Sequence, residues 1–129
     1  MPRSIRFSND TYLDSKSGIR IKRLYPTFDS EYVYTNQDFG YIAFQIGRLV
    51  FIFIQSIAFK KEIGNFVPFI TGLPIPTDYN IEYLLGSNTM PSIRVSITNG
   101  VVQTHWTVVE YGDSANKQYS GLLVYETNE

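Results

Sequence analysis

The stretch from Asp38 to Lys60, DFGYIAFQIGRLVFIFIQSIAFK, constrains the fold more than any other part of the chain. It is rich in Phe and Ile and is split by Gly47-Arg48. Read by twos, its second half is apolar on both sides. Leu49, Phe51 and Phe53 fall on one face, and Val50, Ile52 and Ile54 on the other. Successive side chains of a strand point to opposite faces, so a strand patterned this way needs cover on both. A chain of 129 residues suits one domain with a modest core. The second cover is therefore expected from another subunit, which points to a β-rich assembly protein.

Residues 39–59 also have the length of a membrane span. Against that reading, Arg48 would sit near the bilayer centre at a cost of roughly 2.5–3.5 kcal/mol. Gln45, Gln55, Ser56 and two glycines weaken it further, and the residues that follow read as a β domain with no second span. No membrane insertion is expected.

The ten Tyr and nine Phe favour half-buried pleated surfaces. With 18% charged residues and a net charge of −1, the chain offers no electrostatic case for gripping nucleic-acid phosphates. A polybasic membrane patch is missing for the same reason. The absence of cysteine excludes disulfides, thiolate metal sites and a cysteine nucleophile. The opening MPRSIRFSND has no apolar core of the secretory type, so no signal peptide is expected.

Turn residues punctuate the rest. Residues 4–8, 11–13 and 19–24 read as short strands, ended by Pro26. Residues 1–30 are thus expected to form an N-terminal arm, too poor in apolar residues for a core of their own. Residues 31–129 are expected to form the main β domain. Within it, residues 31–35 read as a short strand, and 40–46 with 49–57 as a hairpin about Gly47-Arg48. Further strands are read at 66–71, 81–85 and 119–126. Pro74 and Pro76 stiffen a corner. Ile93, Val95 and Ile97 alternate with Arg94, Ser96 and Thr98 before Asn99-Gly100, the strongest two-residue hairpin signal in the chain. Its returning strand is read as residues 101–110. Eight or nine short strands and no helix predict an all-β fold, a jelly-roll-like antiparallel β-sandwich with a short N-terminal arm.

Chemistry-bearing patterns are sparse. His105 is the only histidine, no metal-ligand spacing surrounds it, and it reads as an ordinary strand residue. Neither G-x-S-x-G nor a phosphate-binding glycine loop occurs. Asp78 and Glu82 are close in sequence and read as solvated acids. No catalytic residue, metal or cofactor is assigned, and an enzyme is not expected. The candidate ligand contacts are the Pro-flanked loop Asp78-Tyr79-Asn80 and Trp106, the single tryptophan. An aromatic ring suits the C–H face of a sugar, but Trp106 reads first as a core or interface anchor, and Tyr79 on its loop is the better contact candidate.

Two features together resemble small tail-fibre or receptor-binding proteins of phages and prophages from Gram-positive hosts. One is IRFSNDTYLDSKSGI (residues 5–19), which looks like an opening that recurs in such proteins. The other is the order GYIAF (40–44), GRLVFI (47–52), GLPIP (72–76) and SIRVSITNGVV (92–102), which is similar to their C-terminal head domain. The resemblance covers most of the chain, though almost no shoulder or neck lies between arm and head. It implies a homotrimeric virion structural protein, assembled in the host cytoplasm with other tail proteins, that attaches to a host surface glycan. A free-standing carbohydrate-binding or lectin-like module is the alternative.

Overall fold

The computed structural model describes residues 4–7, 11–14, 20–35, 39–78, 81–112 and 115–129. Among them are eleven strands and one 3₁₀ turn. The strands are β1 (Ser4–Phe7), β2 (Thr11–Asp14), β3 (Arg20–Arg23), β4 (Thr27–Phe28), β5 (Gly40–Ile46), β6 (Leu49–Ile57), β7 (Pro68–Thr71), β8 (Ile81–Leu85), β9 (Ile93–Thr98), β10 (Val101–Thr104) and β11 (Tyr119–Glu126). They form two antiparallel sheets, ordered β1-β2-β3-β5-β6-β11 and β4-β7-β10-β9-β8. The fold is an all-β sandwich. In the second sheet, three hairpin-connected strands with β7 laid beside β10 make a Greek key, the connection on which jelly rolls are built.

The expected arm is woven into both layers. β3 pairs with β5 through Ile21–Ile46 and Arg23–Phe44, while β4 pairs with β7 in the other sheet. Leu24 and Phe28 join the core. Residues 20–28 thus need no core of their own, because they share the sandwich's.

Residues 31–35 are a turn and a single bridge, Val33 to Phe59, instead of the expected strand. The strand read as 66–71 begins only at Pro68, and the one read as 101–110 stops at Thr104. Phe66 and Trp106 both have positive φ, 58° and 48°, which breaks the extended path at each place. The Asn99-Gly100 turn is as expected. Both residues have positive φ, as a type I′ hairpin requires.

The core lies between the sheets. Val50, Ile52 and Ile54 of β6 are fully buried against Ile93, Val95 and Ile97 of β9 and their neighbours. Burying each is worth roughly 1.5–3 kcal/mol. Phe59 stands edge-on to Phe69 at 5.2 Å and to Tyr119 at 5.9 Å. The sheets are tied at their rims by reciprocal Gly86–Ser120 backbone hydrogen bonds of 2.8 and 2.9 Å. Thr127 Oγ1 also donates to the Ile75 carbonyl at 2.7 Å.

The other face of β6 is not covered within the protomer. Leu49 is 44% exposed and Phe53 43%. Strand register extends this face sideways in three rows. Ile42, Phe53 and Leu122 form one, Phe44, Phe51 and Val124 the next, and Ile21, Ile46 and Leu49 the third. Phe44 and Phe51 stack at 5.0 Å. The outer face of the five-stranded sheet differs: Glu82, Arg94, Ser96 and Gln103 occupy it, with Leu84 among them.

Candidate functional site: the Trp106 cleft

The loop before β7 and the loop after β10 are laced together. Phe66 N–H donates to the Thr104 carbonyl at 2.9 Å, and Thr104 Oγ1 donates to the Gly64 carbonyl at 2.6 Å. Thr107 N–H donates to Asn65 Oδ1 at 3.1 Å, and Arg94 N–H donates to Thr107 Oγ1 at 3.2 Å. This lacing holds Phe66 and Trp106 in the left-handed region, where a bulky side chain costs of order 1–3 kcal/mol. Their rings meet edge-to-face at 5.2 Å. Trp106 is consequently lifted off the sandwich, 66% exposed, on a backbone that does not swing freely.

Beside it lies a cleft of about 490 Å³, lined by Trp106, Asn65, Pro91, Ser92, Thr107, Val108, Glu110 and Tyr119. That volume lies within the range of small-ligand sites. Tyr119 is buried, and its hydroxyl accepts the Glu110 N–H at 3.0 Å. Burial pushes the Tyr119 phenol above its ordinary pKa, so it is neutral at physiological pH. The Glu110 carboxylate is 3.6 Å from Lys117 Nζ. One apolar ring therefore stands among hydroxyl, amide and carboxylate groups, an arrangement that can hold a pyranose by stacking plus directional hydrogen bonds.

A second cleft, about 560 Å³, opens on the other side of Tyr119. It is lined by amides and hydroxyls, among them Gln55, Ser87, Asn88, Thr89 and Gln118, and offers no exposed ring.

The sequence-derived candidates do not all meet. Tyr79 and Asn80 lie outside the described residues. Asp78 is exposed and borders a depression of about 120 Å³ shared with Asn99. Asn99 precedes β10 and Trp106 follows it, so this depression and the Trp106 cleft sit at opposite ends of that strand. No sequence pattern marked Asn65, Ser92, Thr107 or Glu110 as a site residue. Only the contacts between loops distant in the chain bring them together.

His105 lies just past the end of β10 and is buried. Its Nε2 is 3.3 Å from Glu82 Oε1, which also lies 3.7 Å from Arg94 Nε. Glu82 therefore faces a histidine and an arginine. Among the described residues no three His, Asp or Glu side chains converge on a possible metal position. No helix among them is long and apolar enough to cross a membrane.

The fold is an all-β sandwich with two open clefts beside Tyr119. Comparison with protein-family models, with curated proteins and with solved structures gives no match.

Proposed function

We propose that the chain is a binding protein and not a catalyst: a homo-oligomeric, tail-associated adhesion β-sandwich of a phage virion that attaches to a host surface glycan through the Trp106 cleft. The observation that carries the glycan reading is Trp106 itself. A large ring held out in solvent on a hydrogen-bonded, strained loop is a poor core residue and a good stacking platform. The polar groups beside it supply the directional contacts that stacking lacks. The phage part of the proposal rests on the resemblance of residues 5–19 and of the head-like motif order. Several copies, three in the arrangement which the resemblance implies, would convert a weak single-site contact into firm attachment by avidity.

The test is a glycan array probed with the whole chain, followed by titration of the selected saccharide. Selective binding is expected, with at least a tenfold loss for Trp106→Ala at unchanged circular dichroism. Binding unaffected by that substitution would remove Trp106 from the site. The same cleft would serve a free-standing lectin-like module. Flanking tail or lysis genes favour the virion role, and their absence favours the free-standing one.

A further inference from the structure

We propose that the glycan site extends past Tyr119 into the amide-lined cleft, and that its ligand is an uncharged oligosaccharide chain seated in both clefts. This inference rests on the glycan reading of Trp106 and adds a second set of contacts, a chain length and a charge.

The two clefts are neighbours. Tyr119 lines each of them, so no more than one side chain divides them. The connection between β8 and β9 runs along both, with residues 86–89 on the amide cleft and residues 91–92 on the Trp106 cleft. The segment leading into β11 does the same. Glu110 borders the Trp106 cleft, Gln118 borders the amide cleft, and Lys117 reaches Glu110 at 3.6 Å. At about 490 and 560 Å³, each cleft is the size of a small-ligand site by itself, so one sugar ring leaves most of the space empty.

The walls of the amide cleft are held in place. Gly86 and Ser120 exchange backbone hydrogen bonds of 2.8 and 2.9 Å. Thr89 Oγ1 donates to the Asn116 carbonyl at 2.5 Å, which ties the β8–β9 connection to the 3₁₀ turn Ala115–Lys117. Thr89 N–H donates to Ser87 Oγ at 3.3 Å. Walls fixed in advance lose less freedom when a ligand binds.

The groups left over select the ligand. Among the described residues, no hydrogen bond engages the side-chain amides of Gln55, Asn88 or Gln118, which all line this cleft. Each amide offers donors and an acceptor together, and a sugar hydroxyl likewise donates and accepts. A glycan chain repeats such groups at every ring. Charge then sorts among glycans. No described residue lining the amide cleft is Asp, Glu, Lys, Arg or His. At the divide, Glu110 and Lys117 offset each other. A glycan carrying carboxylate or phosphate would shed water there and meet no unpaired cation. Trp106 thus supplies stacking at one end of the site, and the amides supply directional contacts at the other.

The test probes the whole chain with malto-, xylo- and chito-oligosaccharides of one to six rings, and with hyaluronan fragments of matching length as the anionic arm. The expected result is an affinity gain of at least tenfold between two rings and six in an uncharged series, and no binding of hyaluronan. In the double variant Gln55→Ala with Gln118→Ala, that gain should disappear while disaccharide affinity is kept. Trp106→Ala should weaken short and long chains alike, and Asp78→Ala, beside the depression at the other end of β10, should change neither. Circular dichroism checks that each variant is folded. In nuclear magnetic resonance spectra of the parent, the side-chain amide signals of Gln55 and Gln118 should shift only with the longer chains, and the Trp106 indole signal with all. A flat length dependence, a gain that survives the double variant, or preferred binding of hyaluronan overturns the inference and leaves the Trp106 site standing. Binding indifferent to Trp106→Ala, or no binding by any series, removes the glycan reading and this inference with it.

Discussion

Gly100 is the residue at which local conformation and tertiary packing make the same demand. It has φ of 76°, and an added Cβ would lie 2.3 Å from the Leu73 carbonyl oxygen. Gly100→Ala should therefore destabilise by at least about 1–3 kcal/mol, read as a lower urea midpoint at an unchanged slope. The buried tyrosines make a different demand. Tyr125 donates its hydroxyl to the Pro74 carbonyl at 2.6 Å, and Tyr83 donates to the Val124 carbonyl. Burial raises the pKa of Tyr125, Tyr83 and Tyr119 above the ordinary phenol value. The unfolded chain then releases these protons first, so the stability they contribute is complete below about pH 10 and declines as pH rises beyond it. Urea midpoints measured from pH 8 to 11 should fall at the alkaline end, and Tyr125→Phe should flatten that fall.

β6 carries two kinds of apolar residue that composition alone does not distinguish. Ile52 is fully buried between the sheets, whereas Phe53 faces outward. Ile52→Ala should cost about 2–5 kcal/mol, the range for an aliphatic core truncation. Phe53→Ala, measured at a dilution where copies are separated, should cost clearly less. Equal losses would mean that the outer face is covered within one protomer. The loops around Trp106 behave as a single element because Asn65 accepts the Thr107 N–H. Asn65→Ala should cost about 1 kcal/mol and speed the fluorescence depolarisation of Trp106, the only tryptophan. β10 shows where pattern reading reaches its limit. Residues 101–104 alternate as a strand should, and nothing in the local sequence announces that the backbone turns left-handed at Trp106. The hydrogen bonds that impose this turn come from residues 64–67, some forty positions earlier.

At the scale of the whole molecule, the two layers differ in surface character. The Trp106 cleft opens at an end of the second sheet, and the first sheet turns an apolar face outward. Under the proposed adhesion role, the cleft would face the glycan-bearing surface while the apolar layer would face other copies. Titrating a selected saccharide against the parent and against a Phe53→Glu variant, whose charged outer face should keep it monomeric, would test that arrangement. Intrinsic affinity per site should be unchanged, while retention on a glycan-coated surface should drop by tenfold or more for the monomer. A matching loss of intrinsic affinity would place the site at the subunit contact instead.

The sequence alone determined the fold class, the central hairpin about Gly47, the Asn99-Gly100 turn and the doubly apolar character of β6. Each depends on a period of two or on a dihedral preference within a few residues, and such local constraints are written directly in residue order. Tertiary structure alone decided which face of β6 enters the core and that residues 20–28 feed both sheets. It also decided that Trp106 stands among Asn65, Ser92 and Glu110 while Asp78 borders a depression at the far end of β10. These outcomes depend on contacts between segments tens of residues apart. Many pairings of such segments satisfy the local pattern equally well, and only simultaneous packing of both sheets selects among them.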